Sequence, residues 1–120
     1  MECEVEYTDE YGDWWDGLTA EEQDSIARVV RLLEERGPTL PFPYSSGVVG
    51  SRHRHMRELR VQHAGRPYRV LYAFDPNRIA LLLIGGDKSG RSDWYEEYVP
   101  IADRLYDEHL RILEEERRRG

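Results

Sequence analysis

The sequence predicts an α+β fold, in which a small, mainly antiparallel sheet packs against helices near the N-terminus and a last helix ends the chain. Three observations carry that expectation. Residues 20–36 repeat apolar positions at helical spacing behind a capping box; residues 56–85 hold three strand candidates joined by two turn signals; and the third candidate is apolar on both faces. With 120 residues, 39% of them apolar and 34% charged, the chain suits one domain, residues 1–120, around one core.

Taken in order, residues 2–7 alternate acids with Cys3, Val5 and Tyr7, the pattern of a short strand with one buried face. The pair Trp14-Trp15 reads as an anchor that seats the first helix on the sheet rather than as a ligand-stacking pair. Thr19 and Glu22 form a capping box, Ile26, Val29, Val30 and Leu33 share one helical face, and Gly37-Pro38 supplies a stop. A helix over residues 20–36 follows. Residues 38–55 hold three prolines, two glycines and several serines, so an irregular connection is expected there.

The strand candidates cover residues 56–62, 67–74 and 78–85. Asp75-Pro76-Asn77-Arg78 is a turn between the last two, because proline presets the backbone and Asp and Asn suit the flanking positions. If Ala64-Gly65 is the tip of the first hairpin, Arg60 faces Arg69 directly. Facing like charges cost up to about 1 kcal/mol, so the pairing makes sense when something negative sits over it, and Glu58 on the same face is the nearby carboxylate. The third strand, with Ile79 to Ile84 as its apolar run, belongs in the sheet interior. One sheet face is expected to hold Leu59, Val61, Val70, Tyr72, Leu81 and Leu83 under the N-terminal helix. The other, with Arg60, Arg69, Leu71, Leu82 and Ile84, is expected to stay available to a ligand or partner. After Gly85-Gly86 a polar loop covers residues 87–91. Pro100 fits the first position of a helix reaching residue 118, with Ile101, Leu105, His109 and Ile112 in one stripe and Arg117-Arg118-Arg119 at its C-terminus.

The net charge of -7 conceals a segregation: residues 1–37 sum to -9, residues 38–51 carry no charge, residues 52–91 sum to +6 and residues 92–120 sum to -4. A basic middle attracts anions, although arginines on strands also pair with acidic helices. The longest apolar run is six residues against about 20 for a membrane span, and the acidic start does not suit a leader peptide. Cys3 is the single cysteine, which excludes an internal disulfide and a cysteine-built zinc site and points to a reducing cytoplasm. Its neighbours Glu2 and Glu4 disfavour a thiolate, so it reads as core. His53, His55 and His63 lack a companion ligand set at familiar spacing, and neither a metal nor any other cofactor is expected.

In order along the chain, Met56-Arg57-Glu58-Leu59-Arg60, Gly65-Arg66-Pro67-Tyr68-Arg69-Val70-Leu71-Tyr72, Leu82-Leu83-Ile84-Gly85-Gly86-Asp87-Lys88, and Trp94-Tyr95 through Leu110 resemble the RelE/ParE toxin superfamily and its HigB-like, phage-derived Gp49-like branch. The resemblance covers residues 38–112 well and the N-terminal third loosely. It implies a RelE-like single domain and a type II toxin that cleaves mRNA on the ribosome, neutralised by a helix-turn-helix antitoxin and meeting DNA only through that antitoxin. A ParE-like toxin with a protein target, or an inactive antitoxin-binding partner, is the alternative.

Cleavage through the 2′-hydroxyl builds negative charge on the phosphate, which calls for cations and a proton-transfer group. The resemblance therefore implies Arg60 and Arg69 as phosphate stabilisers, Lys88 as a second cation, and Tyr95 and Glu58 as acid or base groups. His55, Arg57, Arg66 and Arg91 would guide the RNA backbone, and Trp94 would stack on a base. Many HigB-like toxins carry two lysines where this chain has Asp87-Lys88, so a weaker pull on phosphate is expected there.

Overall fold

The computed structural model describes residues 2–120. Two helices form early in the chain: α1, Asp9–Asp16, and α2, Ala20–Arg36. Thr8 caps α1 by accepting from Tyr11 N at 3.0 Å, and its hydroxyl donates to Leu83 O at 2.6 Å, which ties the helix start to the sheet. The expected capping box opens α2: Glu22 N donates to Thr19 Oγ1 at 3.1 Å, and Thr19 N to Glu22 Oε1 at 2.8 Å.

Five strands form one sheet: β1, Val5–Tyr7; β2, Ser45–Gly47; β3, Arg57–His63; β4, Arg66–Phe74; and β5, Ala80–Asp87. Their spatial order is β1-β5-β4-β3-β2, with β1 parallel to β5 and the other neighbours antiparallel. The expected three-stranded meander is present, and Arg60 faces Arg69. Arg78 N donates to Asp75 O at 2.9 Å, closing the second turn. The segment 38–55 is not wholly irregular, because β2 lies in it and extends the sheet. A three-residue Ser-Ser-Gly strand carries no β-branched or aromatic signal, and pairing with β3 alone creates it. Strand β1 is shorter than expected, and Tyr7 is 65% exposed at the sheet edge rather than buried.

The sheet carries apolar packing on both faces. Under α1 and α2 lie Leu59, Val61, Tyr68, Val70, Tyr72, Ala80 and Leu82, packed against Tyr11, Ile26, Val29 and Leu33. On the reverse, Met56, Leu71, Ala73, Leu81 and Leu83 meet α3, Trp94–Arg119, through Trp94, Val99, Ala102, Leu105 and Tyr106. Each fully buried large side chain contributes about 1.5–3 kcal/mol. The face assignment of β5 thus differs from expectation: Leu81 and Leu83 lie under α3, and Leu82 lies on the side of α1 and α2. A bulge explains the difference, since Leu71 pairs with Ile84 while Tyr72 pairs with Leu82, leaving Leu83 as the extra residue. The second face is consequently largely covered by α3 rather than open.

Helix α3 begins at Trp94, not at Pro100, which lies inside it. An interior proline costs about 3 kcal/mol, and burial of Trp94 and Val99 on the sheet offsets that cost. The stripe through Ile101, Leu105, His109 and Ile112 is only partly the packed one: Leu105 is buried, whereas Ile112 is 41% exposed. Among the described residues no helix is long and apolar enough to cross a membrane.

Two adjacent glycines at the end of β5 set how closely the helices approach. A β-carbon at Gly85 would overlap the Trp14 ring, and one at Gly86 would lie 2.8 Å from Trp94 Nε1. Gly85→Ala is expected to lower the unfolding free energy by about 2–3 kcal/mol in urea melts. Gly47→Ala, with nothing within 4 Å of the new methyl group, should change it by less than about 0.5 kcal/mol.

Candidate active site

Strand alternation aims Ser46 of β2, Glu58 and Arg60 of β3 and Arg69 of β4 at the sheet face that α3 partly covers. Trp94 seats the first turn of α3 over Gly86, and this seating brings the neighbouring Tyr95 to Glu58. The Glu58 carboxylate is buried and takes four partners. It accepts from Tyr95 Oη at 2.6 Å, from Ser46 Oγ at 2.9 Å and from Arg60 Nη1 at 3.1 Å, and Arg69 Nε stands 3.7 Å away. The negative group that the facing arginines demand is therefore part of the protein.

The two guanidinium groups are not equivalent. Arg69 is buried, and its Nη1 donates to Tyr68 O at 3.0 Å, so it supports the site from beneath. Arg60 keeps 31% of its side chain exposed and lies over the Phe42 ring at 5.1 Å. Lys88 Nζ lies 5.7 Å from the Tyr95 ring centroid, so a second reachable cation stands on the same side. Burial first, and then the bond to Glu58, raises the Tyr95 pKa against the opposing pull of Arg69, which keeps the phenol protonated as a donor. Counted formally, Arg60, Arg69 and Lys88 against Glu58 leave +2. Such a cluster can hold a phosphate and supply a proton.

Asp87 points away from it. Its carboxylate accepts from Ser89 N at 2.9 Å and lies 3.4 Å from Arg66, on the α2 side of the sheet, while Lys88 turns to the α3 side.

Several residues expected at the site lie elsewhere. Trp94 is fully buried in the α3 packing and is closed to a base. Arg57 and Arg66 project from the opposite face: Arg57 Nε donates to Ser45 Oγ at 2.9 Å, and Arg66 sits between Glu22 at 3.5 Å and Asp87 at 3.4 Å. Arg91 is held by Glu97 and by Asp93 at 3.4 Å. His55 Nε2 meets Tyr106 Oη at 3.0 Å, roughly 16 Å along α3 from Tyr95 at 1.5 Å per residue. Conversely, Phe42, Tyr44 and Ser46 adjoin the cluster and were not anticipated. The usable signal was two aromatic rings in a segment without charge, residues 38–51.

The other histidines are engaged one by one: His53 with Asp107 at 2.7 Å, His109 with Asp75 at 2.9 Å and His63 with Ser25 at 2.7 Å. Among the described residues no group of three or more His, Cys, Asp or Glu side chains is placed to hold a metal. Burial, followed by Glu34, raises the Cys3 thiol, which agrees with a packing role.

Comparison with known proteins adds to this geometry. The family of phage-derived Gp49-like proteins matches residues 13–107. Two proteins of Mycobacterium tuberculosis (strain ATCC 25618 / H37Rv) that carry toxin names are similar to the chain. HigB2 is 42% identical over 104 residues, 85% of this chain and 52% of that protein; HigB3 is 44% identical over 92 residues, 76% of this chain and 79% of that protein. The chain thus spans about half the length of the first relative and most of the second. Among solved structures, a mutant of the E. coli toxin RelE in the free state aligns with a TM-score of 0.58 at 13% identity, covering 83% of this chain and 97% of its own. The archaeal RelE-RelB complex from Pyrococcus horikoshii OT3 contributes a chain with a TM-score of 0.55 at 16% identity, covering 77% of this chain and 100% of its own. These likenesses establish a shared RelE-like fold.

Glu58→Gln removes the anion shared by two guanidinium groups and should destabilise the protein by about 3 kcal/mol in denaturant melts. The Tyr95 titration, followed by tyrosinate absorbance, should shift downward at the same time, because the Arg69 contribution then acts unopposed by a carboxylate. On the other face, burial and Glu22 raise the Tyr68 pKa from 10.0 to about 12. The folded state then holds a proton that the unfolded state releases, so the Tyr68 contribution to stability is level below pH 10 and falls between pH 10 and about 12. Tyr68→Phe should remove this part of the alkaline decline in melts recorded across that range.

Proposed function

The chain belongs to the phage-derived Gp49-like family, and from that premise we propose that residues 1–120 act as the toxin of a type II toxin-antitoxin pair. In this reading it is a metal-independent endoribonuclease that cuts mRNA on the ribosome and so halts translation in the cytoplasm. The observation that supports it most directly is the meeting of Arg60 and Tyr95 on the buried Glu58, with Lys88 against the Tyr95 ring on the same sheet face.

Each group has a chemical task. The 2′-hydroxyl of a ribose gives up its proton to solvent water as its oxygen attacks the adjacent phosphorus; a 2′-O–P bond forms, closing a 2′,3′-cyclic phosphate, and the P–O5′ bond breaks. Negative charge grows on the non-bridging oxygens, where Arg60 and Lys88 would stabilise it more strongly in the transition state than in the ground state. The 5′-oxygen leaves with a proton, which Tyr95, protonated at neutral pH, would donate once its hydroxyl turns from Glu58 to the leaving oxygen, solvent then restoring the phenol. Glu58 acts as a positioning residue that orients the Tyr95 hydroxyl and draws Arg60 and Arg69 together. Arg69, buried beneath the site, adds to its positive charge.

The partner is a cognate helix-turn-helix antitoxin, which would silence the toxin by covering the Arg60 face and would bring the pair to DNA. A chain of the RelE fold occurs together with RelB in the archaeal complex, which supports an antitoxin partner here.

Induced expression in a bacterial host tests the reading. The wild type should arrest translation and leave cut transcripts, and Arg60→Ala or Lys88→Ala should slow cutting by about 10²–10³-fold while the melting temperature stays near that of wild type. DNA-damage signalling in place of transcript cutting would favour a protein target such as gyrase. A wild type that leaves growth unaffected would make the chain a binding partner without activity.

A further inference from the structure

Phe42 is 68% exposed, an unusual state for a phenylalanine, and it lies next to the most accessible guanidinium of the site. Arg60 Cζ stands 5.1 Å from the ring centroid and covers one side of it. The high exposure leaves the other side of the ring to solvent. Tyr44, 42% exposed, adjoins the same arginine, since Arg60 N donates to Tyr44 O at 2.9 Å. An open aromatic ring beside a reachable cation, Arg60, matches the two halves of a nucleotide: a flat base and a charged phosphate.

We propose that Phe42 is a base-stacking platform for single-stranded RNA, forming a layered stack of guanidinium, phenyl ring and nucleobase that holds the nucleotide whose phosphate meets Arg60. This rests on the ribonuclease reading and deepens it. The stack needs an unpaired base, because a base in a duplex already has both faces covered. It also takes the role that the buried Trp94 cannot fill. Arg60 gains twice from the arrangement. Its contact with the ring fixes the guanidinium in place, and the edge of that group stays free for phosphate oxygens.

Fluorescence anisotropy tests the proposal with a dye-labelled single-stranded RNA ten nucleotides long, with inorganic tripolyphosphate as a competitor that has charge but no base. Phe42→Ala and Phe42→Leu should each weaken RNA binding by about 5- to 100-fold, while Phe42→Trp retains it. Tripolyphosphate should compete at the same concentration against wild type and Phe42→Leu alike, and Arg60→Ala should lose both ligands. Phe42→Leu with wild-type RNA affinity overturns the stacking role and leaves the ribonuclease reading standing. Equal loss of RNA and tripolyphosphate in Phe42→Ala also overturns it, since the ring would then merely position Arg60. A wild type without affinity for the RNA overturns the platform, and the expression experiment then judges the enzyme reading on its own.

Discussion

Arg60 and Arg69 face one another across β3 and β4, and the fold accommodates this because Glu58 places one carboxylate between them. The rest of the site follows from that charge arrangement. A single buried anion shared by two cations leaves the group positive, so the surface above it stays cationic while the strands beneath remain paired. The carboxylate also recruits Tyr95 from α3 and Ser46 from β2, so that four elements meet at one side chain. Stability and chemistry are therefore hard to separate at Glu58, because the group that orients the phenol is the one that keeps two strands together.

The division of labour between the sheet faces follows from the same economy of charge. The α2 side takes Arg57, Arg66 and Asp87, each matched with a local partner, and so removes them from the site. The α3 side keeps Arg60 and Lys88 reachable. A protein with a net charge of -7 can present a local cationic surface in this way because most of its acids lie on α1, α2 and the far part of α3.

Local chemistry made a large part of this legible from residue order alone. The capping box at Thr19 and Glu22, the Asp-Pro-Asn-Arg turn and the Ala-Gly hairpin tip are short-range signals, and each has its expected geometry in the structure. The hairpin register then placed Arg60 opposite Arg69 with Glu58 nearby. Features set by tertiary contact were not legible. The bulge at Leu83 inverts most of the face assignment along β5, and no residue near it announces a bulge. The start of α3 was obscured because Pro100 resembles a first-turn residue, whereas the burial of Trp94 on Gly86 carries the helix back over it. The arginines on the wrong face were misjudged for a related reason: composition counts charges but does not say which side of a sheet they leave from.

The pair Gly85-Gly86 has a mechanical meaning. Consecutive residues of a strand point to opposite sides, so one peptide bond separates the seat of Trp14 from the seat of Trp94. The two tryptophans clamp the same dipeptide from above and below, like the jaws of a vice. Helices α1 and α3 thus take their footing on neighbouring residues of one strand, and the second footing seats the residue that adjoins Tyr95.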